Sequence, residues 1–392
     1  MPVPLLDVNA QNLPLECEFK EAFERVLKSG QFILGPEIEH FEKQLATLLN
    51  VRHAISVSSG TDAILLALMA LDIKAGDEVI CPSFTFFATA GCIARTGATP
   101  VFVDSDPNSF NLNPQALMAK ITQRTKMILP VHLFGQSVDL EPILRIAREH
   151  NLLVIEDAAQ ALGATYRDRS VGTFGAFGTF SFFPSKNLGG FGDSGLVSTN
   201  DDDLAEKAKL LRTHGSKPKY FHKVVGANFR MDPLQAALLA VKLPHYQSYS
   251  EKRRANADYY TNQLSALEGV QSGEMETVRR DPDQASEAKI ILPSTSPDSG
   301  HIWNQYTLRV LGDGRRDQLK THLTNLGIGT EIYYPVPLHQ QECFAYLRSN
   351  HLDFPVANQL AREVLSIPIY PELSDAQKDE VIAGIGSFLI EH

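Results

Sequence analysis

Cysteine is scarce in this chain. Its 392 residues hold four, Cys17, Cys81, Cys92 and Cys343, and no two stand at CxxC spacing. That excludes a sequence-visible zinc site, an iron–sulfur cluster motif and a disulfide framework, and no metal is expected. Cys81 and Cys92 lie in apolar surroundings and are expected as buried thiols in a reducing cytosol. Positive charge is also short: the net charge is −10. No basic footprint for nucleic acid is present, although a local site can still take a small anion. No apolar run approaches the ~18 residues of a membrane span. The start, "MPVPLLDVNAQ", has no basic stretch followed by an apolar one. A soluble, cytoplasmic protein with no membrane partner is expected.

The chain is longer than a single core usually supports, so two domains are expected. "HAISVSS", "DEVICPS", "TPVFVD", "MILPVHLF" and "LLVIEDAA" read as strands, with helical patterns such as "TDAILLALMALD" and "DLEPILRIAREH" between them. This alternation predicts an α/β fold with a mostly parallel sheet wrapped by helices. "GTFSFF" and "GLVSTN" add two strands before a polar helix at "NDDDLAEKAKLLRTHG". The pattern turns long and helical around "LQAALLAVKLPHYQSYSEKRRANADYYTNQL". The domain change is placed there, giving a large domain over 1–245 and a smaller α+β domain over 246–392. The latter would hold a polar stretch from Gln271 to Gly300, a strand at "NQYTLRV" and a helix at "RRDQLKTHLTNLG". Gly215 to Gly226 lacks apolar periodicity and is expected as a mobile loop.

Three segments carry candidate chemistry. In "SSGTDAILLAL" a strand runs through Ser-Ser-Gly-Thr into a helix, whose free N–H groups can hold an anion. A simple N-cap would look the same. In "VIEDAAQALGA", Glu156 and Asp157 close an apolar strand at the edge where ligands bind in open α/β sheets. An Asp there can hold a heteroaromatic nitrogen protonated, or merely cap the next helix. In "SFFPSKNLGGFGDSG", Lys186 stands between an aromatic run and a glycine cluster. It is either a solvated turn residue or a desolvated amine tuned to meet a carbonyl. An anion-binding helix start, an acid for a ring nitrogen and a lysine, in that order, are the parts of a pyridoxal phosphate site. "GFGDSG" matches G-x-G-x-x-G by letter, but it precedes a strand and opens no helix, so it is no dinucleotide fingerprint. His132 and His214 are expected in structural or loop roles, and the pair Phe182–Phe183 in the core.

With these segments in view, the chain resembles the DegT/DnrJ/EryC1/StrS group of sugar aminotransferases. "GQFILGPEIEHFE", "SSGTDAILLAL", "DEVICPSFTFFATA", "PVHLFGQ", "VIEDAAQALGA", "FSFFPSKNLGG", "GDSG", "GANFRMDPLQAALL" and "YYPVPLH" carry the likeness across nearly the whole length. It implies the aspartate-aminotransferase-like fold, fold type I, with pyridoxal 5'-phosphate as cofactor. Lys186 falls on the Schiff-base lysine, Asp157 on the partner of the pyridinium nitrogen, and Gln160 on the residue near the ring hydroxyl. Gly60, Thr61, Asp62 and Ser181 match phosphate-holding positions, and Phe86 an aromatic that stacks on the ring. Asn228 matches an asparagine reaching the neighbouring subunit's phosphate, which implies a homodimer with shared active sites. Arg230, Tyr333 and Tyr334 fall at the sugar site. Uronic-acid enzymes are expected to carry histidine where Tyr333 stands, so the sugar is left open.

The implied activity is amino transfer from L-glutamate to a nucleotide-linked keto-sugar, at C3 or C4 and carried by UDP or dTDP, within amino-sugar, polysaccharide or lipopolysaccharide biosynthesis. Lys186 would shuttle the proton in a ping-pong cycle while Asp157 keeps the ring nitrogen protonated. A sugar dehydratase of the same fold, or a regulator that binds the cofactor without turnover, are the competing classes. The presence of Lys186 itself argues against the first, and the intact set of Lys186, Asp157, Gln160 and Ser181 against the second.

Overall fold

The computed structural model describes residues 2–271 and 288–391. Along the chain the strands are β1 (His53–Val57), β2 (Glu78–Pro82), β3 (Thr99–Val103), β4 (Thr125–Ile128), β5 (Leu153–Asp157), β6 (Thr165–Tyr166), β7 (Arg169–Ser170), β8 (Phe177–Ser181), β9 (Gly195–Thr199), β10 (Val270–Gln271), β11 (Ile290–Ile291), β12 (Ser299–Gly300), β13 (Tyr306–Val310) and β14 (Val364–Ile367). The helices are α1 (Val8–Asn12), α2 (Glu16–Ser29), α3 (Pro36–Leu49), α4 (Gly60–Ala70), α5 (Ala88–Arg95), α6 (Leu140–Glu149), α7 (Asp202–Arg212), α8 (Pro233–Lys242), α9 (Tyr246–Leu264), α10 (Arg315–Asn325), α11 (Pro355–Glu363) and α12 (Asp375–Glu391).

Seven strands form the main sheet in the order β1-β9-β8-β5-β4-β2-β3. All neighbours run parallel except β9, which is antiparallel to both β1 and β8. The strands read as continuous apolar runs because both faces are covered. Successive residues go to opposite cores: Ile55, Val79, Cys81, Ile155 and Val197 face α4, α5 and α7, while Ala54, Ile80, Val154 and Leu196 face α3, α6 and α8. Each fully buried aliphatic chain of this kind contributes roughly 1.5–3 kcal/mol.

A second sheet, β10-β11-β13-β14, builds a third core with α9, α10 and α12. Segments cross between the two bodies. Val3 pairs with Ile328 and packs in the third core, while Leu338, Phe344, Phe354 and Leu360 pack in the first. The buried Arg253 of α9 donates to the carbonyls of Trp303 (3.1 Å) and Ile369 (2.8 Å), fixing the loop that leads to Gln305.

Two expected elements are shorter than their patterns. The strand at "MILPVHLF" ends at Ile128 in the sheet, and Leu133–Gly135 form a single turn of 3₁₀ helix with Phe134 at φ 58°. The long helical run breaks at Leu243–His245, where Pro244 lacks the N–H a continuous helix needs. The expected polar stretch from Gln271 to Gly300 falls largely outside the described residues. Among those described, no helix is long and apolar enough to cross a membrane.

Candidate active site

At the C-terminal edge of the main sheet, the ends of β1, β2, β5 and β8 and the segments that follow them, together with Tyr333 and Tyr334 from the segment after α10, bring most of the expected residues to one cavity of about 420 Å³. Gly60, Thr61, Phe86, Asp157, Gln160, Ser181, Lys186, Tyr333 and Tyr334 all line it.

The anion-binding end is built by β1 running into α4. Ser59 caps the helix, its hydroxyl accepting from the Asp62 N–H at 3.0 Å, and Asp62 in turn accepts from Ser58 Oγ at 2.6 Å. Asp62 therefore braces the turn, and the N–H groups of Gly60 and Thr61 have no intrahelical acceptor. Gly60 lies hard against the end of β8: a Cβ there would stand 2.7 Å from Ser181 Cβ. Ser181 and the start of α4 thus meet as one cradle, with the helix dipole behind it.

Strand β5 ends in two carboxylates pointing to opposite faces. Glu156, fully buried, accepts from the backbone N–H groups of Gly172 (2.7 Å), Phe174 (2.6 Å) and Gly175 (2.8 Å). It also faces His132 Nε2 at 3.1 Å. The Val138 N–H donates to His132 Nδ1 at 3.2 Å, so the proton of this imidazole sits on Nε2 and goes to Glu156. Both side chains are fully buried, and neither lines the cavity. Asp157 faces the cavity. Its Oδ1 accepts from the Ala159 N–H at 3.1 Å and its Oδ2 from Thr89 Oγ1 at 2.9 Å. Burial pushes its carboxyl up from the ordinary range, opposed by the Thr89 hydroxyl, the Ala159 N–H and the charge of Lys186.

Lys186 stands five residues past the end of β8 on a tight loop. Phe182 N–H donates to Ser194 and Gly190 N–H returns to Phe182, both at 2.8 Å. Asn187 Nδ2 donates to Ile302 (3.0 Å), and the buried Lys242 Nζ donates to the carbonyl of Gly189 (2.8 Å). The loop is thereby pinned on both sides of Lys186. The lysine itself has no side-chain hydrogen bond or ion pair among the described residues. It is partly accessible through the cavity mouth, yet burial draws its ammonium down to about 8, against the pull of Asp157. A fraction of free amine at near-neutral pH is what a nucleophile or proton carrier requires.

Gln160 is oriented by both ends: its Oε1 accepts from the Phe134 N–H at 2.8 Å and its Nε2 donates to Tyr334 Oη at 3.4 Å. Burial pushes the Tyr334 phenol up, so its proton stays in place. Phe86, 56% exposed, lies across from Tyr334 with ring centroids 6.2 Å apart. Asn228 and Arg230 do not line the cavity of their own chain. Asn228 is exposed, bridging Thr213, and Arg230 Nε is shielded from solvent with no hydrogen-bond partner among the described residues. The loop from Gly215 to Gly226 runs over the surface with Ser216 bridged to His222, and exposes Tyr220 (79%) and Val225 (88%).

The aromatic pair divides. Phe182 is fully buried against Phe41, ring centroids 5.6 Å apart, but Phe183 is half exposed and lines the cavity. Strand-like alternation, carried one residue past β8, sends the two rings to opposite sides. Sequence reasoning also missed Thr89, Asn187, Lys242 and Gln305. Thr89, Asn187 and Lys242 had no local signal, since each bonds to a residue distant in the chain, and Gln305 reaches the cavity only through the fold. A larger cleft of about 660 Å³ lies along the loop after β3 and helix α6. Among the described residues that line it, Arg145 pairs with Glu149 of the same helix and there is no lysine.

The set fits pyridoxal phosphate: a helix-start cradle that excludes even a methyl group, a buried acid opposite, an aromatic wall and a lysine with no side-chain hydrogen bond among the described residues. The cavity has the size of a small-molecule site. Fold and site thus define an aminotransferase of the aspartate-aminotransferase-like class. Residues 15–386 match the DegT/DnrJ/EryC1/StrS aminotransferase family, and the chain belongs to it. It is 44% identical to the pleiotropic regulatory protein of Geobacillus stearothermophilus, over 99% of both chains. It is 42% identical to the UDP-N-acetyl-3-dehydro-alpha-D-glucosamine 3-aminotransferase of Acidithiobacillus ferrooxidans, over 96% of this chain and 95% of that one. The S. venezuelae DesV structure in complex with a ketimine intermediate superposes with TM-score 0.91 at 41% identity, covering 99% of this chain and 98% of that one.

Proposed function

We propose that the protein transfers an amino group from L-glutamate to a keto-sugar linked to a nucleoside diphosphate, the carbonyl at C3 of the sugar. The observation that carries this is the convergence of Lys186, Asp157 and the α4 cradle on one cavity in a chain of this family. The position of the carbonyl and the nucleotide linkage rest on the name of the Acidithiobacillus relative.

Bound pyridoxal phosphate supplies a carbonyl that condenses with amines and a conjugated ring that accepts the electron pair of a broken C–H bond. This chain's residues do the rest. The Gly60 and Thr61 N–H groups, with the Thr61 and Ser181 hydroxyls, would hold the phosphate. Asp157 would keep the ring nitrogen's proton in place, and Gln160 Nε2 would orient the ring oxygen. Phe86, on the cavity wall, would cover one ring face. Lys186 Nζ, standing free in the cavity, would take the proton from the donor's α-carbon and hold it for return to the other end of the same C–N–C unit. It reverses the transfer when the keto-sugar enters.

Two copies of the chain would share each site. Asn228 and Arg230 lie outside their own cavity, and the apolar side chains of Tyr220, Phe221 and Val225, in the loop that precedes them in sequence, are exposed, which supports a contact across a dimer. The place of action would be the cytoplasm, in amino-sugar or lipopolysaccharide assembly. The test is a panel of UDP- and dTDP-linked 3-keto and 4-keto sugars with glutamate as donor. Glutamate-dependent amination of a 3-keto sugar is the expected outcome. Preference for 4-keto sugars would overturn the position assigned, and a cofactor-bound protein that aminates nothing would favour a regulatory role.

A further inference from the structure

Thr89 is fully buried on the first turn of α5, in the segment "TFFATAGC". A threonine in such a position commonly returns its hydroxyl proton to a carbonyl of its own helix. Here the hydroxyl instead reaches across 68 residues of sequence to Asp157 Oδ2, at 2.9 Å. Its neighbours Ala88, Ala90 and Cys92 are buried in the apolar first core, where valine would pack without an alcohol to satisfy.

The direction of the bonds follows from the donor count. A carboxylate only accepts, so the one hydroxyl proton of Thr89 goes to Asp157. Thr85 Oγ1 lies 3.4 Å from Thr89 Oγ1, and can then only donate into it. Thr85 is itself buried and lines the cavity. A short chain, Thr85 to Thr89 to Asp157, therefore points its protons at the carboxylate. The other oxygen of Asp157 has the Ala159 N–H. Phe86 is held on the same turn, its carbonyl accepting from the Thr89 N–H at 3.3 Å.

We infer that Thr89 is a positioning residue for Asp157: its hydroxyl keeps this buried carboxylate charged and aimed at the cofactor's ring nitrogen. The inference rests on the functional reading above. Without the hydroxyl, one oxygen of Asp157 is left buried without its donor. The proton shared with the ring nitrogen then moves toward the carboxylate, and the ring becomes a weaker electron acceptor. A less electron-poor ring also holds the proton of its bond to Lys186 more tightly.

The test compares wild type, Thr89→Val and Thr89→Ser as holoenzymes. The pH at which the visible cofactor band changes is titrated, and the single-turnover rate with L-glutamate is measured. For Thr89→Val the transition pH is expected to rise. The single-turnover rate should fall roughly 10–100-fold, the equivalent of one hydrogen bond to a charged group, with little change in the glutamate concentration needed. Thr89→Ser should restore both. A Thr89→Val holoenzyme with the wild-type transition and rate would overturn the inference. So would a Thr89→Ser as impaired as the valine variant, since the methyl group and not the hydroxyl would then matter. If the valine variant does not fold, Thr89→Ala carries the same comparison. A wild type that takes up no cofactor fails separately and removes both the functional reading and this one.

Discussion

Gly60 and Ser181 touch so closely that no side chain fits between them: an added Cβ would lie 2.7 Å from Ser181 Cβ and 3.1 Å from its hydroxyl. The contact locks the start of α4 onto the end of β8. Gly60→Ala should push the helix start outward, costing about 1–3 kcal/mol of stability. Pyridoxal phosphate should bind at least ~10-fold more weakly as the cradle opens, by the rule that 1.4 kcal/mol is tenfold in affinity. Absorbance titration and thermal melting of the same variant check both.

The adjacent carboxylates should respond in opposite ways. Glu156 is held by three backbone N–H groups and His132, so Glu156→Ala leaves several buried donors without partners. A loss on the order of 3 kcal/mol or more in urea unfolding is expected. Asp157→Asn removes a buried charge instead. The cofactor-free variant should be at least as stable as wild type, with the glutamate half-reaction slowed at least ~100-fold through loss of the ring nitrogen's partner.

Lys186 should destabilise the cofactor-free fold in a pH-dependent way. Burial lowers its ammonium from 10.5 to about 8. Below pH 8 both folded and unfolded chains carry the proton, and the folded state bears the full cost of holding it. Between 8 and 10.5 the unfolded chain binds more protons, so wild-type stability from this group rises with pH. Lys186→Met should therefore be more stable than wild type at pH 7, by on the order of 1–3 kcal/mol, and the gap should close toward pH 10.5. Melting curves across pH measure it. A gap independent of pH would assign the gain to packing alone.

Shared sites predict complementation. Lys186→Ala and an Asn228→Ala, Arg230→Ala double variant should each be inactive alone. Mixed and refolded together, they should recover activity in heterodimers that hold one intact site. No recovery, with mixed dimers demonstrated, would place Asn228 and Arg230 within the sites of their own chain.

The strand ends were legible because a parallel sheet buried on both faces writes itself as apolar runs, and the residue following each run falls at the ligand edge. Asp157 was singled out that way and Lys186 by its place between an aromatic run and a glycine cluster, while Ser181 entered only through the family resemblance. Pattern could not show where "MILPVHLF" leaves the sheet, nor the break at Pro244, because both depend on what the neighbouring chain offers as hydrogen-bond partner. Thr89 carried no signal at all. Its partner is 68 residues away, and a threonine in an alanine-rich helix looks like filler until the fold brings Asp157 beside it. Phe183 was misjudged because its face is set by the end of β8, which the sequence blurs.

The most direct test is chemical trapping of the lysine. The holoprotein is reduced with borohydride, digested and mapped by mass spectrometry, with and without prior incubation with L-glutamate. The account predicts a reduced pyridoxyl adduct on Lys186, absent when glutamate has first displaced the lysine. An adduct on another lysine, or one on Lys186 that glutamate leaves untouched, would contradict it.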